Sequence, residues 1–293
     1  MSSNSPSNTF SNTPSNRLRI GLTLPFFRED AEPLIEVAIA AESVGLDAVF
    51  AYDHLFRYDS DGGVRPALEF ASALGALCAE TDSIAIASLV ARATLRAPSV
   101  LTGIFVTAQR IAGERIIAGI GAGDEQSRDE MEHFGYDFGD VSSRVEALEA
   151  STASLMNADI PVWVGGDPKY VGTAAMMADG WNRWGVSQDR FALEATQLNA
   201  LREDHGGAPL VISWGGLCVL GATDDEAEKK AERLGASKVS LVGGPERVAE
   251  MLVGYVNAGA SWIALGPIDS SDPTNAIHSK AIRDLLIERL SIV

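Results

Sequence analysis

In RIGLTLPFFRED, residues 19–30, six strand-like residues run straight into a proline, two phenylalanines and a charged turn. An open doubly wound sheet would carry a glycine-rich loop after its first strand, where the backbone must approach a dinucleotide phosphate. That loop is missing here, so the architecture rests on the strands that follow. Short apolar runs recur at 47–52 (DAVFAY), 83–88 (SIAIAS), 115–120 (RIIAGI), 161–165 (PVWVG), 180–184 (GWNRW), 210–220 (LVISWGGLCVL) and 262–266 (WIALG), which with the first makes eight. Between them lie stretches with apolar residues at helical spacing, such as AEPLIEVAIAAESVG at 31–45, where Pro33 suits a first turn and Gly45 a C-terminal cap. Alternation of this kind builds a parallel sheet with crossover helices, and eight units are what a single (β/α)8 TIM barrel requires. One barrel domain is expected over residues 17–293. Residues 1–16, MSSNSPSNTFSNTPSN, are expected to be a disordered tail, since they have neither a charged start nor an apolar core of a secretory signal.

With 46% hydrophobic and 22% charged residues, the chain has the composition of a globular protein with a large core. Its net charge of −17 argues against a nucleic-acid partner, which would need a basic face to displace counterions. A small-molecule ligand is expected. The two cysteines, Cys78 and Cys218, stand far apart in apolar runs, which fits neither a disulfide framework nor a metal site and points to a reducing cytoplasm. No apolar run approaches the roughly 20 residues of a membrane span.

In a barrel the functional face lies at the C-terminal ends of the strands. Asp53 and His54 fall just past the second strand, where a carboxylate beside an imidazole can fix its tautomer for proton transfer. GIGAGDEQ, residues 119–126, follows the fourth strand with three glycines, able to cradle an anion or admit a flat ring close to the main chain. Its spacing is GxGxG, not GxGxxG, so a dinucleotide site is not expected. VWVGGDP, residues 162–168, repeats the pattern after the fifth strand, with Asp167 placed to cap a helix and to compete with a phosphate for the same amides. LVGGPERV, residues 241–248, reads as a connector between two helices of the seventh unit. No HExxH, HxH or GxSxG pattern occurs, which disfavours a zinc enzyme or a serine hydrolase.

Together, GLDAVFAYDHL (45–55), IASLVARATLRAPSV (86–100), GERIIAGIGAGDEQSRDEMEHFG (113–135), PVWVGGD (161–167) and MADGWN (177–182) resemble the luciferase-like monooxygenase family, particularly its deazaflavin-dependent oxidoreductase branch. GGPERVAEMLVGYVNAGASWIAL, from 243, resembles the family's closing pattern.

The resemblance implies a bacterial-luciferase-like (β/α)8 barrel that holds coenzyme F420, or alternatively FMN, at its C-terminal mouth. It implies that His54 is catalytic, beside ring and substrate, with Asp53 next to it. A non-prolyl cis peptide is expected at Ser88–Leu89, so that Ser88, Leu89 and Val90 back the ring. Gly121, Ala122, Gly123 and Asp124 would border it, and Gly165, Gly166, Trp184 and Gly185 would meet the phosphate-bearing chain. The implied activity is hydride exchange between F420 and a small organic substrate. The alternatives are an FMN monooxygenase served by a flavin reductase, a non-catalytic flavin-binding relative, or an unrelated barrel enzyme acting on a phosphorylated metabolite. The apolar faces near 66–80 and 97–111 suggest a homodimer. The family's long excursion before the PVWVGG strand is here reduced to LEASTASLMNADI.

Overall fold

The computed structural model describes residues 17–58, 62–236 and 238–291; the expected tail at 1–16 lies outside the described residues. In chain order the elements are β1 (Arg19–Thr23), α1 (Glu32–Ser43), β2 (Ala48–Ala51), the short β3 (Phe56–Tyr58) and β4 (Val64–Pro66), α2 (Phe70–Glu80), β5 (Ala85–Ser88), β6 (Ala91–Arg92) and α3 (Pro98–Ala112). They continue with β7 (Ile116–Gly121), α4 (Arg128–His133), α5 (Val141–Met156), β8 (Val162–Gly165), α6 (Pro168–Met177), β9 (Gly180–Trp184) and α7 (Gln188–Asp204). The last are β10 (Val211–Leu220), α8 (Asp224–Arg233), β11 (Leu241–Gly243), α9 (Pro245–Asn257), β12 (Trp262–Pro267) and α10 (Thr274–Leu290).

The eight expected strands are β1, β2, β5, β7, β8, β9, β10 and β12. All pair in parallel with their neighbours in that order, and β12 returns to β1, closing the barrel. Pro33 lies in the first turn of α1, and Gly45 follows that helix at φ +76°, the left-handed conformation that suits glycine. The 241–248 connector contains an extra short strand, β11, which extends the top of β10. The β3–β4 hairpin and the six-residue α4 had no counterpart in the expected pattern.

The barrel interior is filled by large side chains laid over glycines. Placing a Cβ on Gly21 would bring it within 2.7 Å of the Phe50 ring, and on Gly180 within 2.6 Å of Trp163. Trp163 packs edge-on to Trp262, ring centroids 5.0 Å apart, and the Arg19 guanidinium covers Trp262. This layer fills the N-terminal half of the barrel, and the C-terminal ends of the strands form its mouth. Below it, buried Asp47 accepts from the Ile20 amide and pairs with Arg283 of α10 at 2.8 Å, an ion pair on the stabilising face.

Candidate active site

β2 ends at Ala51, and the chain then delivers Tyr52, Asp53 and His54 to the mouth. Asp53 is 2% exposed and its carboxylate is engaged inside the wall. It accepts from the Arg92 amide at 2.9 Å and from both terminal nitrogens of Arg96 at 2.6 and 3.1 Å, while Arg92 Nε donates to the Asp53 carbonyl. Its role is to tie the loop after β2 to the segment after β5, which fixes the residue that follows.

His54 Nδ1 lies 2.7 Å from Oε1 of Glu130 on α4. Glu130 is buried, accepts from the Leu55 amide at 2.6 Å and pairs with Arg92 at 2.9 Å. Burial alone would raise its pKa, but the His54 hydrogen bond, the charges of His54 and Arg92 and the Leu55 amide together hold it below the ordinary carboxylate value. An ionised carboxylate can only accept, so in the neutral ring Nδ1 carries the proton and Nε2 is left as the acceptor. The ring stands among Phe27, 5.1 Å away, and Tyr52, 6.2 Å away. Burial pushes the Tyr52 phenol up to about 12, against the opposing pull of the Thr23 hydroxyl, so it stays neutral.

The floor of the mouth is apolar. Val90 lies over Gly121 and Gly165, either of whose Cβ would stand 2.6 Å from a Val90 methyl. Trp184, at the end of β9, lies over Gly215 and Gly266. Both pack on the same interior cluster, which includes Leu89, Trp163 and Ala264.

The cis peptide expected at Ser88–Leu89 is instead Leu89–Val90. The Leu89 amide still donates to the Ala51 carbonyl of neighbouring β2, so the regular extended chain continues through Ser88–Leu89 and departs one bond later. Ser88 is buried and donates to the Gly119 carbonyl, facing the wall and not the mouth. Gly121 and Gly165 are covered by Val90, so their missing side chains accommodate this chain's own valine. The Gly166 amide and carbonyl are engaged by Asn182 and by Trp181 Nε1, and Asp167 caps α6 while pairing with Arg183 and Arg190. That helix start therefore has an internal anion in place. Ala122 packs on the outer core, Gly123 at φ +73° stands at the rim, and exposed Asp124 caps the following turn. Gly185, at φ +71°, donates to the Gly215 carbonyl. The structure thus brings His54, Val90 and Trp184 to the mouth and leaves Asp53, Ser88, Gly121, Gly165 and Gly166 in its supporting wall.

Sequence reasoning missed Glu130, Arg92 and Arg96. Glu130 reaches His54 across 76 positions of sequence from a helix of six residues, too short to show a periodicity. The signal available was the cation pair in VARATLR, residues 90–96, which an acidic partner had to balance if buried.

Residues 11–154 match the family model described as luciferase-like monooxygenase. An F420-dependent glucose-6-phosphate dehydrogenase of Microbacterium testaceum is 29% identical over 55% of this chain and 46% of its own length. One from Nakamurella multipartita is 38% identical over 31% of this chain and 26% of its own. The matched stretches thus span less than half of these curated relatives. Among solved structures, an F420-dependent secondary alcohol dehydrogenase in complex with an F420–acetone adduct superimposes with a TM-score of 0.77 at 15% identity, covering 92% of this chain and 99% of the other. The F420-dependent tetrahydromethanopterin reductase of Methanopyrus kandleri gives 0.71 at 15% identity, over 93% and 99%. A riboflavin lyase with modified FMN gives 0.74 at 13%, over 94% and 92%. The structural likenesses bear out the barrel, and the family-model match over residues 11–154 agrees with the resemblance seen in the sequence.

Proposed function

We propose that this luciferase-like chain is an oxidoreductase that binds coenzyme F420 at its C-terminal mouth and acts on a small organic substrate by hydride exchange. The observation that carries the reading is His54, held by buried Glu130 just past the end of β2, in a barrel whose inner wall carries the part-exposed apolar side chains Val90 and Trp184. The names of the relatives and of two of the structural neighbours support F420 as the cofactor.

The residues present fit such a group: a flat ring needs an apolar slot, and the floor offers two side chains spread over glycine pairs. Val90 would lie against the ring, with Gly123 and Asp124 at its rim. When bound, F420 supplies the carbon that accepts or returns a hydride. His54 Nε2 takes the proton of a substrate hydroxyl in oxidation and returns it in reduction, while Glu130 keeps Nδ1 protonated and the ring aimed at the mouth. Tyr52 and Phe27 shield His54 from water on the β2 side.

FMN is the second reading, favoured by the FMN-containing neighbour, and it would bring oxygen chemistry and a reductase partner. Titrating the purified chain in parallel with F420 and FMN, followed by ligand fluorescence, tests both. Micromolar binding of F420 in preference to FMN supports the first. The reverse preference replaces it with the second, and binding of neither refutes both. A homodimer through α2 and α3 is part of the proposal, supported by exposed Val100 and Ile111 on α3; a monomeric mass in solution would remove it. Among the described residues no helix is long and apolar enough to cross a membrane.

A further inference from the structure

Five tryptophans occur in the chain, and four of them, Trp163, Trp181, Trp214 and Trp262, are 3% exposed or less. Trp184 stays part-exposed although it ends a barrel strand. Its indole does not turn outward into the following loop. A Cβ on Gly215 of β10 would stand 2.5 Å from its Cε3, and one on Gly266 of β12 would stand 2.9 Å from its Cη2. The six-membered part of the indole therefore lies against the inner wall across two neighbouring strands, over their glycines.

Val90 does the same on another part of the wall, over Gly121 of β7 and Gly165 of β8. Four glycines on four strands thus make room for two apolar side chains, and both rest on one interior cluster. An aromatic face that is left part-exposed, inside a barrel whose other tryptophans are buried, is suited to contact with another flat ring.

We propose that Trp184 is the second wall of the ring slot: the flat conjugated ring of the cofactor lies against its indole, across from Val90, and the indole sets how deeply a ring enters the barrel. The proposal rests on the F420 reading above. It also moves Trp184 from the phosphate-bearing chain, where the family resemblance put it, to the ring itself.

The test uses the full chain with Trp184→Phe, Trp184→Leu and Trp184→Ala, each checked for folding by circular dichroism and melting. Acrylamide quenching of tryptophan emission comes first and needs no cofactor. The wild type should show a quenchable component that Trp184→Phe lacks; equal quenching in the two would mean that the indole does not face the mouth and would overturn the proposal. F420 is then titrated by its own fluorescence. Loss of the aromatic face should weaken binding roughly 10-fold or more in Trp184→Leu and Trp184→Ala, with Trp184→Phe within about 3-fold of wild type. If Trp184→Ala does not fold, Trp184→Leu carries the comparison. Wild-type affinity in the folded non-aromatic variants overturns the slot and leaves the F420 reading intact. Failure of the wild type to bind F420 overturns that reading, and the slot falls with it.

Discussion

Replacing Glu130 by glutamine separates charge from shape at the centre of the site. The amide oxygen can still accept from the Leu55 amide, which Glu130 accepts at 2.6 Å, and the side-chain volume hardly changes. What disappears is the negative charge 2.9 Å from Arg92, whose side chain is 3% exposed. Arg92 keeps its bond to the Asp53 carbonyl, but the Asp53 carboxylate is already engaged by Arg96. Removing one partner of a buried ion pair typically costs about 3–5 kcal/mol, and the retained hydrogen bond places this case near 3. For a chain of this size that corresponds to a fall in Tm of roughly 6–12 °C. The folded-state pKa of Glu130 is depressed below its ordinary value of 4.5, so its contribution is present above that value and is lost as pH falls through the folded pKa. The gap between wild type and Glu130→Gln should therefore be widest near neutrality and shrink in acid. Melting curves by calorimetry from pH 7 down to the acid limit of solubility measure it. A Tm within 2 °C of wild type at pH 7, or a gap that grows in acid, would refute the assignment of Glu130 as the buried counter-charge.

Three further outcomes are expected. His54→Ala should lower turnover by roughly 100-fold or more, while F420 affinity stays within a few-fold; unchanged turnover would remove His54 from proton transfer. Gly119→Ala would put a Cβ 1.9 Å from the Ser88 carbonyl oxygen, a backbone atom with no room to retreat, so soluble protein with a wild-type melting curve would contradict the packing of β5 on β7. Gly172, inside α6 with open space around its Cβ position, offers the opposite case. Gly172→Ala should raise stability by about 0.5–1 kcal/mol, seen as a Tm gain of roughly 1–4 °C, and a loss would mean that the space beside α6 is already occupied.

The barrel was legible because its strands are buried on both faces and read as unbroken apolar runs, which a parallel sheet requires at every position in the ring. The mouth was legible only in part. Gly121 and Gly165 were visible as glycines that some large group must need, but sequence offers no way to tell a ligand from Val90, which comes from a different strand end. The same ambiguity covered Asp53, whose place beside His54 suggested a shared task until its carboxylate was found holding Arg96. Contacts across 39 and 76 positions, Asp53 to Arg92 and His54 to Glu130, leave no periodic trace, since these residues sit in a loop, a two-residue strand and a six-residue helix. Local pattern thus specifies where the barrel brings residues, and charge balance specifies which of them must meet. Buried Arg92 and half-buried Arg96 within VARATLR call for carboxylates beside them, and buried Asp53 and Glu130 are the pair that supplies them. The histidine lies between those two partners in space because the same ion-pair network that closes the wall also sets its ring, so loss of the network should be felt in stability and in His54 geometry together.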